Sequence, residues 1–192
     1  MRKKIILASC SPRRIQMLTD LGVLFTAVAP DVAEEIRASE EPEAAVMRIS
    51  KEKAEAVALK EAGIIIAADT IVQCQGEIMV KPENEYEAYQ QLRKLSGQEH
   101  IVLTGLCVRD EKNGADLQYE VSKVFFRELS DEEINFYIAT GEPLDKAGSY
   151  GIQGRGALLV KRVEGCYYNI VGLPLTRLYL MLKKYGVDLL GG

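Results

Sequence analysis

Ile64-Ile65-Ile66-Ala67-Ala68-Asp69-Thr70 is the stretch that decides the fold. An uninterrupted apolar run ending on a charge is the pattern of a strand covered on both faces, as in a parallel sheet between layers of helices. The flanking segments agree. Upstream, Pro42 suits the first position of a helix that runs to Ala62 and is closed by Gly63. Lys4 to Ala8 reads as a short apolar strand, and Ser9 to Arg14 as a turn opening a helix that stops at Gly22. Phe25 to Ala29 reads as a strand, and the acidic Asp31 to Glu41 as a loop. Downstream, Ile71 to Cys74 and Glu77 to Val80 flank Gln75-Gly76, as in a hairpin. Glu85 to Leu95 is helical, and long strands from Ile101 to Arg109 and from Leu117 to Arg127 surround Lys112-Asn113-Gly114. Ser130 and Glu133 have capping-box spacing for a helix to about Thr140. A glycine-rich loop, a hairpin through Glu164-Gly165 and a helix from Pro174 to Tyr185 complete the chain. The pattern is α/β, a mixed twisted sheet flanked by helices. No linker, repeat or low-complexity segment breaks it, so residues 1–192 are expected to form a single domain, with Leu190-Gly191-Gly192 as a loose tail.

Composition narrows the function. Lys plus Arg is 24 and Asp plus Glu is 28 in 192 residues, a net charge of −4. Such a balance disfavours a general nucleic-acid binder or an anionic membrane surface. No apolar run approaches the roughly 20 residues of a membrane span. The basic start Met-Arg-Lys-Lys is followed by too short an apolar stretch for a signal peptide, so a cytoplasmic protein is expected. Cys10, Cys74, Cys107 and Cys166 form no C-x-x-C pair and read as reduced, mostly buried thiols. The chain's one histidine, His100, has no nucleophile signature near it and reads as structural. With so few soft ligands, any metal is expected to be a hard cation on oxygen, Mg²⁺ or Mn²⁺.

Four segments concentrate polar chemistry. Ser9-Cys10-Ser11-Pro12-Arg13-Arg14 lies between a strand and a helix, where backbone N–H groups and the positive helix end point at one spot. Arg13 and Arg14 sit in the first helical turn, where the macrodipole disfavours cations. A bound anion would repair that conflict, and a phosphate cradle is the functional reading; a solvated arginine pair behind a Ser-Pro cap is the inert one. No Walker A loop occurs in the chain. Asp69 ends the apolar run at a crevice-facing strand terminus, as a general base, a Mg²⁺ ligand or merely a turn residue. Lys81, in Val80-Lys81-Pro82, occupies a similar strand-to-helix position, which a surface lysine also fits. The segment from Thr140 to Gly172 holds Gly141, Gly148, Gly151, Gly154, Gly156, Gly165 and Gly172 among polar residues that include Gln153. Glycines at that density imply close backbone approach or several positive-φ positions. On the helix from Pro42, Lys51, Lys53 and Lys60 alternate with Glu52, Glu55 and Glu61, as on a solvated face. Several cations, one poised carboxylate and no nucleophile–base pair suit phosphate-ester hydrolysis by water.

Leu7-Ala8-Ser9-Cys10-Ser11-Pro12-Arg13-Arg14, Ala68-Asp69-Thr70, Lys81-Pro82, the run from Gly141 to Gly154 and Val171-Gly172-Leu173-Pro174 together resemble the Maf family of nucleoside triphosphate pyrophosphatases, first known as septum-formation inhibitors. The resemblance covers essentially the whole chain, in order. It implies a fold like that of inosine triphosphate pyrophosphatases, with two lobes around a deep cleft. It implies hydrolysis of a nucleoside triphosphate to the monophosphate and pyrophosphate, with a divalent cation. By position, Asp69 resembles the proposed proton acceptor, and a metal ligand at Asp69 is the other role it leaves open. Ser9, Arg13, Arg14, Lys53 and Lys81 resemble the triphosphate-binding groups, and Glu34 falls near an acidic position implicated in the family.

The same resemblance bears on the base. One branch of the family prefers 7-methyl-GTP and carries an aromatic residue after Ser-Pro, Asp-Gln in place of Asp-Thr, and Glu in the glycine-rich loop. Arg13, Thr70 and Gln153 stand at those positions here, as in the dTTP/UTP branch. A neutral amide at Gln153 can donate and accept toward a pyrimidine's O4 and N3–H edge. The resemblance also implies a nucleoside triphosphate as partner and permits a homodimer. A nucleotide-binding regulator of cell division, a 7-methyl-GTP pyrophosphatase and a nucleotidyltransferase are the rival readings.

Overall fold

The computed structural model describes residues 3–37 and 39–191. Its centre is the apolar run. Strand β1 (Ile5–Leu7) lies between β2 (Phe25–Ala27) and β3 (Ile64–Cys74) and is parallel to both, with Ile5 level with Phe25 and with Ile64. Strand β4 (Glu77–Met79) folds back antiparallel on β3, pairing Met79 with Val72. Beyond β3 come β5 (Glu99–Asp110), β6 (Gly114–Phe126) and β7 (Val160–Glu164), the last antiparallel to β6. The result is a mixed seven-stranded sheet in the order β2-β1-β3-β5-β6-β7, with β4 on β3.

Among the described residues six α-helices accompany the sheet: α1 (Pro12–Asp20), α2 (Pro42–Ala58), α3 (Glu85–Leu95), α4 (Asp131–Ile138), α5 (Tyr167–Val171) and α6 (Leu175–Lys184). Their starts follow local chemistry. Proline, which lacks the N–H that a first turn would leave unpaired, opens α1 and α2. Asn84 caps α3 through Glu87, and Ser130 and Glu133 form the reciprocal capping box of α4. Among the described residues no helix is long and apolar enough to cross a membrane.

The chain divides into two compact units. The first comprises the chain up to Asp69, Thr104–Glu120 and the chain from Gly172 on. One core cluster in it packs Ala54 and Val57 of α2 on Ile6 of β1, Ile65 and Ala67 of β3 and Cys107 of β5. The approach of α2 to β5 is set by Gly105: a Cβ there would lie 2.2 Å from the Val46 carbonyl oxygen. The second unit comprises Thr70–Leu103 and Val121–Val171. Its core joins Val72, Leu92, Leu95, Val124, Phe126, Ile134 and Tyr150.

Three expectations change. First, Asp69 does not end its strand. β3 continues to Cys74 because Ile71, Val72 and Cys74 stay buried and Val72, Gln73 and Cys74 pair with Met79, Ile78 and Glu77 of β4. Second, α2 stops at Ala58, with Leu59 at its C-cap, rather than at Ala62. Third, there is no hairpin at Glu164-Gly165. After β7 the chain turns into α5, because its polar groups find partners on the sheet: the Asn169 amide donates to the Val102 carbonyl at 2.9 Å, and Ser122 Oγ both donates to and accepts from the Cys166 backbone at 3.0 Å.

Of the four cysteines, Cys74 and Cys107 are buried, Cys166 is half-buried and Cys10 is exposed. Burial pushes the Cys107 thiol up to about 12, so it stays protonated. His100 is structural, as its sequence context suggests. It is buried against Phe126 and Tyr150, with Nε2 2.8 Å from the Tyr150 hydroxyl.

Candidate active site

In the first unit, β1 and β3 bring two sequence motifs level. Leu7 pairs with Ile66 and the Ala8 N–H donates to the Ile66 carbonyl at 2.8 Å. That register carries Ser9 alongside the Ala68-Asp69 end of the apolar run. α1 begins three residues after Ser9, so its N-terminal end and its arginines face the same region.

The polar side chains here are buried, and they hold one another. Lys53 is 3% exposed and Asp69 is 5% exposed. Lys53 Nζ lies 2.7 Å from Asp69 Oδ1 and 2.7 Å from Glu34 Oε1. One ammonium thus gathers two carboxylates, which makes the burial of its charge tolerable. Glu34 reaches in from the irregular segment before α2, and its side chain stays nearly half exposed. Arg14 is also buried, and its Nε donates to the Gly172 carbonyl at 2.7 Å. Gly172 has φ +115°, a conformation that glycine adopts readily and other residues do not, and this turns its carbonyl toward α1. Ser9 Oγ accepts from the Ser11 N–H at 3.1 Å and lies 3.5 Å from an Arg14 terminal nitrogen. Burial is the strongest influence on the Arg14 guanidinium and lowers its pKa, while Asp69 and Glu34 oppose that shift and Arg13 adds to it. Arg13 is half-buried.

The sequence candidates therefore separate. Ser9, Arg14, Lys53, Asp69 and Glu34 come together in the first unit. The solvated face read for α2 does not hold at Lys53, which turns inward. Thr70, Lys81 and Gln153 belong to the second unit. Thr70 is half-buried within β3, Lys81 is exposed between β4 and α3, and Gln153 is exposed just before a 3₁₀ turn at Gly154–Leu159. The glycine-rich segment carrying Gln153 is pinned inside its own unit. Ser149 Oγ donates to Gln91 at 2.6 Å, and the Gly151 N–H donates to the Tyr137 hydroxyl at 3.1 Å. Gly148, at φ +71°, lies so close to Val72 that a Cβ would sit 3.0 Å from its Cγ1. What the chain pattern alone misses is the weight of Glu34 and of the Gly172 carbonyl. Glu34 lies in a run of acids with no periodicity, and a carbonyl leaves no signature in sequence.

A divalent cation fits the donor chemistry. Among the described residues no three His, Cys, Asp or Glu side chains gather. Mg²⁺ and Mn²⁺ need no such cage at a phosphate site, because one or two carboxylates suffice when phosphate oxygens and water complete the shell. Asp69 and Glu34, the hard oxygen donors gathered on Lys53, are the residues that would hold one.

The parallel strands β2, β1 and β3, with buried cations and carboxylates beyond β1, make the arrangement of an α/β protein that handles anionic ligands. The profile of the family described as Maf-like protein matches residues 4–185, and the chain belongs to that family. It is 48% identical over 196 residues to a dTTP/UTP pyrophosphatase of Caldicellulosiruptor saccharolyticus, covering 99% of this chain and 98% of that protein. It is 50% identical over 194 residues to a dTTP/UTP pyrophosphatase of Dictyoglomus thermophilum, covering 99% and 100%. Among solved structures, the Ham1 protein of Staphylococcus aureus is similar with a TM-score of 0.45 and 14% identity, over 65% of this chain and 72% of that one.

Proposed function

We propose that this chain hydrolyses nucleoside triphosphates, with dTTP, UTP and modified pyrimidine triphosphates as substrates, to the monophosphate and pyrophosphate. The observation that carries the reading is the buried Lys53 shared by Asp69 and Glu34 beside Arg14 and Ser9. The near-full-length relatives, named for dTTP and UTP, supply the base.

Asp69 orients a water and accepts its proton as the oxygen attacks the α-phosphorus. The bond from that phosphorus to the bridging oxygen breaks, and pyrophosphate leaves with the electron pair. Lys53, Arg13 and Arg14 neutralise the triphosphate, and Ser9 offers its hydroxyl. Charge neutralisation and positioning supply most of the acceleration in such chemistry. Glu34, with Asp69 beside it on Lys53, would hold a divalent cation, which would supply positive charge at the reacting phosphates. Lys81 and Gln153 keep the roles the resemblance implies, phosphate binding for the first and base selection for the second. Arg13 and Thr70 stand at the other branch-defining positions. The activity is a cytoplasmic one, on the free nucleotide pool.

The test is pyrophosphate release from a panel of nucleoside triphosphates with Mg²⁺ or Mn²⁺, run beside Asp69→Asn. Turnover of dTTP and UTP that the substitution removes supports the reading. Turnover chiefly of 7-methyl-GTP would keep the chemistry and overturn the pyrimidine assignment, and no release from any nucleotide would overturn both.

A further inference from the structure

We propose that Arg48 is a positioning residue for this site, holding the acidic segment before α2 so that the Glu34 carboxylate stays on Lys53. The inference rests on the site reading above. Glu34 is nearly half exposed, so packing alone does not hold it. Its backbone is held instead. The carbonyl of the next residue, Glu35, accepts from an Arg48 terminal nitrogen at 2.9 Å.

The Arg48 guanidinium is itself locked. Its Nε and a terminal nitrogen donate to the two Glu40 oxygens, both at 2.7 Å, a fork that a guanidinium makes and an ammonium does not. Its other terminal nitrogen donates to the two Glu52 oxygens at 3.0 and 3.2 Å, one turn along α2. Glu40 also accepts from the Arg37 N–H at 3.2 Å, which ties the segment a second time. Arg48 and Lys53 ride on the same helix, five residues apart. α2 therefore presents both the ion partner of Glu34 and the anchor of its backbone. A clamp of this kind matters because displacing a catalytic group by about 1 Å costs on the order of a hundredfold in rate.

The experiment compares Arg48→Met, Glu34→Gln and the double variant of the full chain. The readouts are kcat and KM for dTTP and hydrogen exchange of the amides around Glu35. Arg48→Met is expected to lower kcat/KM about tenfold. It is expected to speed exchange around Glu35 without changing that of β3. Added to Glu34→Gln, it should cost no more than about twofold further, because both act through one group. A full tenfold loss in both backgrounds, or unchanged exchange in Arg48→Met, overturns the proposal. Should Arg48→Met fail to fold, Arg48→Lys, which keeps the charge and loses the fork, is read the same way. If the unsubstituted chain releases no pyrophosphate from any triphosphate, the proposed function fails, and the exchange measurement still decides the clamp.

Discussion

Lys53 Nζ and Asp69 Oδ1 lie 2.7 Å apart, with side chains 4% and 8% exposed, on a helix and a strand sixteen residues apart in sequence. A charge buried in this way is stable only with its partner. Lys53→Met leaves the Asp69 carboxylate buried beside apolar atoms and is expected to cost about 3–5 kcal/mol of folding stability. The double variant with Asp69→Asn should recover much of that loss, as urea denaturation of the three proteins will show. Equal destabilisation in the single and double variants would mean the pair does not carry the burial.

Asp69→Asn by itself keeps the shape of the side chain and an oxygen that can still accept from Lys53. The variant is expected to fold and to lose activity by about a hundredfold or more, the usual share of a proton acceptor. Comparing circular dichroism with pyrophosphate release separates folding from chemistry. A folded Asp69→Asn protein with near-normal turnover would remove Asp69 from the reaction.

Gln153 is exposed, so Gln153→Glu is expected to leave stability within about 0.5 kcal/mol. Its effect falls on the base. A carboxylate cannot donate to a pyrimidine O4, and it attracts a cationic methylated purine. The ratio of kcat/KM for dTTP to that for 7-methyl-GTP should fall by about tenfold or more. An unchanged ratio would place base selection elsewhere.

Burial pulls His100 down to about 4 from an ordinary 6.5. The unfolded chain therefore binds a proton there below about 6.5 while the folded protein resists until about 4. Stability is lost as pH falls through that window, by about 3 kcal/mol from this group, and its contribution levels off below it. As the chain has one histidine, its imidazole proton signals report the titration directly. A midpoint near 6.5 in the folded protein would contradict the burial. His100→Gln should flatten the fall in urea midpoint between pH 6.5 and pH 4.

Gly105→Ala places a methyl group 2.2 Å from the Val46 carbonyl oxygen, against helix backbone that cannot swing aside. The substitution should push α2 off β5 and cost about 1–3 kcal/mol or more. Because α2 carries Lys53, activity should fall along with the melting temperature. A melting temperature equal to that of the unsubstituted chain would show that the helix has slack at this crossing.

Much of this protein is local and was legible in its chain. The apolar run of β3, the prolines opening α1 and α2 and the Ser130–Glu133 box each act within a few residues, where periodicity and capping are decisive. Arg13 and Arg14 stood out as cations in a first helical turn, and Asp69 as a charge closing an apolar run. Other features depended on distant partners. Thr-Ile-Val after Asp69 could end a strand or continue it, and the pairing of Val72 to Cys74 with β4 decided for continuation. Tyr167 to Val171 has strand-like composition, and the Asn169 amide on the Val102 carbonyl made it a helix. Lys53 reads as one more charge on a solvated helix until α2 crosses β5 at Gly105 and turns it onto Asp69 and Glu34. By itself the sequence determined most of the elements, the α/β class and the charged groups available for phosphate chemistry. The tertiary structure decided which of those charges are buried together, because a charge leaves water only where the fold supplies an opposite one, and that depends on how a helix and a strand distant in sequence pack.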